Sequence, residues 1–183
     1  MTLRVLHVDT ERGWRGGERQ ALWLALALEK RGHASLVAAR PGEPLFQRVR
    51  EAGLETIGCS PVSELDAVAA WRLRREVRRR RIDIVHAHTA HAVGLAALAT
   101  LGQPVPLVAA RRVDFPLRRN AVTRWKYARA AAIVAVSRAV ANVLVQCGVP
   151  AGAIHIVPDG VDLQRVVQRA SADDLAAFGI RAG

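Results

Sequence analysis

The segment that decides the fold reads LRVLHVDTERGWRGGER over residues 3–19. Its first part, Leu3–Val8, is a short apolar run typical of a buried strand. A loop that contains glycines follows at Asp9–Gly17, and apolar residues at near-helical spacing then continue from Glu18 to Arg31. Gly32 stands where such a helix would end. A strand, a glycine loop and a helix in this order predict the first unit of an α/β protein.

The same alternation continues along the rest of the chain. Further strands are predicted at Ser35–Ala39, Leu54–Gly58, Ile82–Ala87, Val105–Ala110, Ala132–Val136 and Ile154–Val157. Further helices are predicted at Pro44–Ala52, Glu64–Arg81, His91–Leu101, Arg119–Ala130, between the N-cap Ser137 and Cys147, and at Ala172–Phe178. Strands joined by helices need right-handed crossovers. The sequence therefore predicts a doubly wound, mainly parallel sheet with helices on both faces.

Composition agrees with this fold class. The chain is 51% hydrophobic but only 4% aromatic, so its core is built from Ala, Val, Leu and Ile, which suits parallel strands buried between helices. No apolar run approaches the length of about 18 residues that predicts a membrane span. The first residues predict a strand and lack the pattern of a signal peptide. Cys59 and Cys147 show no pairing pattern and are predicted to be free thiols in a reducing cytoplasm.

The charge balance favours anionic partners. Lys and Arg number 27 against 16 Asp and Glu, which gives a formal net charge of +11. Phosphates, acidic lipid headgroups and nucleic acids are the partner classes that such a surface attracts.

Many of the cations crowd the helix predicted at Glu64–Arg81. Because buried charges are costly, this helix is expected on the surface with Val68, Leu73 and Val77 facing inward. Two interpretations stay open for its outer face: simple solvation, or docking to an anionic membrane. The residues expected to face the membrane in the second case are Trp71, Arg74, Arg75, Arg78 and Arg79.

The glycine loop is a candidate phosphate site. Gly16 and Gly17 follow the first strand, and doubly wound sheets bind ligands at the carboxyl ends of their strands. Paired glycines let backbone N–H groups approach a phosphate, and the next helix adds its positive N-terminal end. A tight turn without any ligand is the alternative. The loop is not the dinucleotide fingerprint, and Arg40 follows the second strand where that fingerprint needs an acid.

Three histidines raise the question of a metal site. His86 and His88 alternate on one predicted strand and share a face, and His91 could fold back toward them. No carboxylate or cysteine accompanies them at ligand spacing, so we expect no metal. Instead, His88 is expected to line a cleft at the end of the strand, and His86 to be a hydrogen-bonded core histidine.

Five motifs, in order, resemble family 4 glycosyltransferases of the GT-B fold. They are Gly16-Gly17-Glu18-Arg19 with Arg31-Gly32-His33, Asp83–His88, Ile133–Ser137, Gly148-Val149-Pro150, and Ile156–Asp162. The resemblance covers essentially the whole chain. It implies that residues 1–162 form the N-terminal, acceptor-side domain and that residues 163–183 lead toward a C-terminal, donor-binding domain. The 183-residue chain is then expected to be inactive by itself.

The resemblance also implies site residues. Gly16, Gly17 and Arg112 would bind the donor diphosphate or an acceptor phosphate. The acceptor cleft would include Glu18, His88, Arg111, Asp114 and Ser137. Two positions depart from the family pattern: many members have histidine in place of Arg112, and Asp159 replaces the usual asparagine. Arg112 can bind a phosphate bidentately but cannot transfer a proton, so no catalytic residue is assigned to this domain.

The implied activity is transfer of a sugar, with retention, from a nucleotide-diphosphate sugar to a glycan, glycolipid or lipopolysaccharide-type acceptor. The enzyme would need no cofactor beyond that donor substrate and would act in the cytoplasm or at the inner face of the membrane. Two other classes remain open. A nucleic-acid-binding module is opposed by the scarcity of stacking aromatics, so we expect no nucleic-acid partner. A nucleotide-dependent oxidoreductase or epimerase is opposed by the missing fingerprint.

Overall fold

In the computed structural model, which describes residues 1–118, 120–161 and 163, strands and helices alternate as the sequence predicts. The strands are β1 (Arg4–Val8), β2 (Ala34–Ala39), β3 (Glu55–Gly58), β4 (Ile84–Ala87), β5 (Leu107–Arg111), β6 (Ala132–Ala135) and β7 (Ile154–Ile156). The helices are α1 (Gly16–Lys30), α2 (Pro44–Glu51), α3 (Ala67–Arg79), α4 (Ala90–Ala99), α5 (Ala121–Ala128) and α6 (Arg138–Gln146). Each of these predicted elements is confirmed, with small shifts at its ends. The helix predicted at Ala172–Phe178 lies outside the described residues.

The strands form one parallel sheet in the order β3-β2-β1-β4-β5-β6-β7. β1 lies between β2 and β4, and His7 is paired in register with Val37 on one side and with His86 on the other. The chain first winds outward from β1 to β3 and then crosses back to β4. The strand order therefore reverses between β1 and β4, which is where a sheet of this type opens a crevice for ligands.

Helices cover the two faces of the sheet unequally. Right-handed crossovers place α1 and α2 on one face and α3 to α6 on the other. The larger core lies under α3 to α6, where Leu6, Val85 and Ile133 meet Leu73 and Leu144. A smaller cluster forms under α1 and α2. Beside α1, an open groove of about 490 Å³ is lined by Val134 of β6 and by residues 157–161, which follow β7.

The arginine-rich helix α3 differs in one respect from its prediction. Leu73 and Val77 are buried as expected, but Val68 is 60% exposed, and Ala70 is buried instead. At about 100° per residue, Val68 lies roughly 140° around the helix from Leu73, so it cannot share the buried face. The prediction that Val68 faces inward is therefore wrong. The helix begins after Asp66, whose carboxylate accepts a hydrogen bond from the backbone N–H of Ala69 at 2.9 Å.

Helix α4 is the most deeply buried helix described, with seven of its ten residues buried. Gly94 lies against the segment before α3: a Cβ added to it would lie 2.8 Å from the carbonyl oxygen of Glu64. The carboxylate of Glu64 accepts a hydrogen bond from the buried Lys126, which also donates to the carbonyl of Ala90 at 2.9 Å. This contact ties α4, α5 and the start of α3 together.

Both cysteines are free thiols, as predicted, and burial raises the pKa of Cys59 to about 11. Within the part of the chain that the structure describes, no helix has the length and apolar character needed to cross a bilayer.

Candidate functional site

A cavity of about 420 Å³ opens at the carboxyl edge of the sheet, between the ends of β4 and β5 and the start of α1. Six predicted site residues line it: Gly16, Gly17, Glu18, His88, Arg111 and Arg112. Two others do not line it. Asp114 is exposed on the loop after β5. Ser137 caps α6, where its hydroxyl accepts a hydrogen bond from the N–H of Val140 at 3.3 Å.

The paired glycines are not needed for the turn itself. Gly13, with φ of 85°, makes the left-handed turn, whereas neither Gly16 nor Gly17 has a positive φ. A Cβ added at Gly16 or Gly17 would meet no atom within 4 Å. The missing side chains instead leave the first turn of α1 open to the cavity, and the N–H groups of a first helical turn lack partners in the helix. This arrangement suits an anion.

Two charged residues in the cavity wall are already engaged by the chain. Glu18 is buried and accepts a hydrogen bond from the backbone N–H of Arg15 at 2.7 Å, so it caps its own helix. Arg111 is buried and donates to the carbonyl oxygen of Phe115. These contacts fix both side chains at the rim of the cavity.

Arg112 contacts both Asp159 and His88. Its Nε donates to the carboxylate of Asp159 at 3.1 Å, and its two terminal nitrogens lie 3.4 and 3.5 Å from Nδ1 of His88. Both Arg112 and Asp159 line the 420 Å³ cavity and also the 490 Å³ groove beside α1. The ion pair therefore separates these two spaces.

Three histidines form a buried cluster on the face of the sheet beneath α1. His7 and His86 are cross-strand neighbours, and Nδ1 of His7 lies 2.9 Å from Nε2 of His88. Their potential ligand atoms all lie within 4.8 Å of one another, a separation that could hold a metal ion. His91, which the sequence offered as the third ligand, is exposed and contacts Glu11 instead.

The hydrogen bonds of this cluster assign its protons. An arginine can only donate, so Nδ1 of His88 accepts from Arg112 and the ring proton is on Nε2. That proton is donated to Nδ1 of His7, which leaves the proton of His7 on its own Nε2. A metal bound to Nε2 of His88 would require a proton on the nitrogen that faces the guanidinium. We therefore interpret the cluster as a network of neutral histidines.

Burial keeps these histidines uncharged. It lowers the pKa of His7 to about 3 and that of His86 to about 4, and it lowers the pKa of His88 well below 6.5. Nε2 of His7 and Nε2 of His86 are buried without a hydrogen-bond partner. The expectation that His86 is hydrogen-bonded is therefore wrong for this atom.

Asp9, at the end of β1, is a further buried group that the sequence did not single out. Its Oδ1 accepts from the N–H of Glu11 at 3.2 Å, but its Oδ2 has no partner. Burial raises the pKa of Asp9 to about 7.

The residues predicted to face a membrane differ in their exposure and in their partners within the chain. Trp71 is 56% exposed, with the guanidinium of Arg75 about 5.1 Å from its ring centroid. Arg74 instead donates to the carbonyls of Ala99 and Leu101 at the end of α4. Arg79 forms an ion pair with Glu76 at 2.8 Å, and Arg78 is exposed.

Comparison by sequence identifies a family. The family model described as Glycosyltransferase Family 4 matches residues 14–165. No curated protein matches the chain.

Solved structures share the fold. HepE from Anabaena, in complex with UDP, matches with a TM-score of 0.80 and 16% identity over 97% of this chain and 50% of HepE. A glycosyltransferase from Rickettsia africae matches with a TM-score of 0.75 and 18% identity over 100% of this chain and 51% of its own. The lipopolysaccharide outer core galactosyltransferase WaaB has a TM-score of 0.66 and 13% identity over 88% and 46%. The chain thus spans about half the length of these proteins.

Proposed function

The chain belongs to glycosyltransferase family 4, and on that premise we propose that it is the acceptor-side, N-terminal domain of a GT-B enzyme. The reaction proposed is transfer of a sugar from a nucleotide-diphosphate donor to a glycan, glycolipid or lipopolysaccharide-type acceptor, with retention of configuration. The observation that supports it best is the 420 Å³ cavity, where the open start of α1 and the guanidinium of Arg112 meet.

The chemistry of that cavity suits a departing diphosphate. Sugar transfer leaves negative charge on the diphosphate, and fixed donors and cations that face this charge stabilise the transition state. Gly16 and Gly17 would offer backbone N–H groups, and Arg112 would offer a planar guanidinium. The UDP complex of HepE supports a nucleotide donor of this kind.

The proposal also states which domain of a longer protein binds the donor. Since the chain spans about half of the structures it resembles, we propose that the donor is held mainly by a second domain, beyond a boundary near residue 162. The 183-residue chain would then not catalyse transfer by itself. The match to WaaB supports a lipopolysaccharide-type acceptor.

The proposed activity can be tested in the full-length gene product. Replacing Arg112 by Gln should lower kcat/KM for sugar transfer by about 10–100-fold, because hydrogen bonds to a charged group contribute about 1.5–3 kcal/mol. Arg118→Gln is the matched control, since Arg118 is an exposed arginine on the same loop that does not line the cavity. If the full-length protein neither binds nor hydrolyses any nucleotide sugar, the proposed function is wrong.

We further propose that α3 brings this domain to an anionic membrane through Trp71, Arg75 and Arg78, which are all exposed. Each cation near such a surface contributes about 1 kcal/mol. The double variant Arg75→Gln/Arg78→Gln should therefore bind about 30-fold more weakly to vesicles of equal parts phosphatidylcholine and phosphatidylserine.

Co-sedimentation would measure that loss. The control is Arg129→Gln/Arg138→Gln, which removes two exposed arginines from other helix ends. Equal vesicle binding by both double variants would show that charge alone, rather than α3, governs the interaction.

A further inference from the structure

We propose that Asp159 competes with phosphate for Arg112. In this view its carboxylate holds the guanidinium until an anionic phosphate group enters the 420 Å³ cavity, and the ion pair then opens. The inference rests on the proposed function and adds a regulating residue to the same site. Asp159 acts as a positioning residue, because it acts on the ligand through Arg112.

The ion pair with Asp159 uses only one of the five N–H donors of the guanidinium. Asp159 engages only Nε of Arg112, at 3.1 Å. The two terminal nitrogens make only long contacts of 3.4–3.5 Å, to His88. Because a guanidinium has five N–H donors in a fork that matches phosphate, a ligand in the cavity could make a bidentate contact that Asp159 does not make.

Arg112 and Asp159 are exposed enough for a phosphate to replace the carboxylate on the guanidinium. The side chains of Arg112 and Asp159 are 17% and 35% exposed, so water reaches both partners. Ion pairs that water can reach are weak. Charge-assisted bidentate bonds to phosphate are stronger, so a phosphate should displace the carboxylate.

Asp159 is held at a fixed place beside Arg112. The next residue, Gly160, is bound on both of its backbone polar groups by the side-chain amide of Gln20 on α1. Gln20 donates to the Gly160 carbonyl at 2.6 Å and accepts from its N–H at 3.3 Å. These two hydrogen bonds hold the backbone next to Asp159 at the boundary between the cavity and the groove. Loss of the ion pair between Asp159 and Arg112 would therefore join the two spaces.

The two residues that depart from the family pattern, Arg112 and Asp159, contact each other. A cation stands at position 112 and an anion at position 159, and the two side chains form an ion pair across 47 positions of sequence. Asparagine at position 159 could not neutralise the guanidinium. The carboxylate at position 159 therefore neutralises the charge of Arg112 as long as no phosphate is bound.

Binding of inorganic pyrophosphate to the 183-residue chain, measured by calorimetry at constant ionic strength, tests the proposal. Asp159→Asn should bind pyrophosphate several-fold more tightly than the wild type. The control Asp114→Asn removes the same charge from an exposed residue outside the cavity and should give a much smaller gain. Arg112→Gln should lose binding, and in the background of Arg112→Gln the Asp159→Asn change should give no gain.

The outcomes separate two kinds of failure. Equal gains from Asp159→Asn and Asp114→Asn would overturn the competition between Asp159 and phosphate. Pyrophosphate binding that survives Arg112→Gln, or no measurable binding by Asp159→Asn, would instead refute the phosphate site at Arg112, and with it the proposed stabilisation of the departing diphosphate. Circular dichroism of each variant confirms that the fold is retained.

Discussion

Acidification from pH 7 to pH 5 should destabilise the folded chain by several kcal/mol. The histidine cluster is the reason. Folding lowers the pKa of His7 to about 3 and of His86 to about 4, from an ordinary value of 6.5, and lowers that of His88 as well. As the pH falls below 6.5, the unfolded chain takes up protons that the folded chain cannot. Stability is then lost.

Asp9 opposes this effect but does not cancel it. Its pKa is raised from 3.8 to about 7, so between these values the folded chain holds a proton that the unfolded chain lacks, which stabilises the fold on acidification. Three histidines against one aspartate leave about two more protons on the unfolded chain. The loss is then at most about 3 kcal/mol per pH unit.

Urea unfolding at pH 7, 6 and 5 would measure the loss. His86→Gln should reduce the slope of stability against pH by about half, because it removes one of the two net protons. His155→Gln, at an exposed histidine of β7, is the control and should leave the slope unchanged. A midpoint that stays constant or rises between pH 7 and pH 5 would contradict the assignment of neutral, buried histidines.

Substitution of Gly94 should destabilise the larger core by overpacking it. Alanine would normally stabilise a helix interior by about 1 kcal/mol relative to glycine. At this position its Cβ would lie 2.8 Å from the backbone oxygen of Glu64, which cannot move without disturbing the contact with Lys126. Overpacking of this kind costs about 1–3 kcal/mol, so Gly94→Ala should be destabilising, and Gly94→Val should cost about 3 kcal/mol or more.

Chemical denaturation would determine these differences in the free energy of unfolding. Gly152→Ala is the control, because a Cβ added there meets no atom within 4 Å. Wild-type stability of Gly94→Ala would mean that α4 and the segment around Glu64 can separate freely, and the close packing described for them would be wrong.

Local patterns explain why the strands and helices could be predicted. The apolar runs and their glycine and proline boundaries act over a few residues, and the crossover rule then fixes a parallel sheet. The same rule located the candidate site, because it brings strand ends such as His88 and Arg112 to the edge that also holds Gly16. The face of a helix on which a given residue lies is harder to predict. Counting Val68 with Leu73 required a five-residue spacing that no single face of a helix provides.

The contacts that define the site could not be predicted in the same way. His7 meets His88 across 81 positions, and Arg112 meets Asp159 across 47. A lone histidine in an apolar strand carries no signal of a partner so far away. Motifs also leave the direction of a side chain undetermined, which is why Ser137 and Asp114 stand in the family motifs or near them without lining the cavity.

The central place of β1 has a consequence for biosynthesis. β1 is made well before β4, one of its two neighbours, which begins only at Ile84. At about 5–20 residues per second, a ribosome needs on the order of 4–15 s to cover that interval. During this time β1 is the edge strand beside β2 and β3, and its backbone groups on the β4 side have no strand to pair with, which is the kind of edge that aggregates. The central pairing of the sheet, between β1 and β4, therefore forms only after β4 has been made.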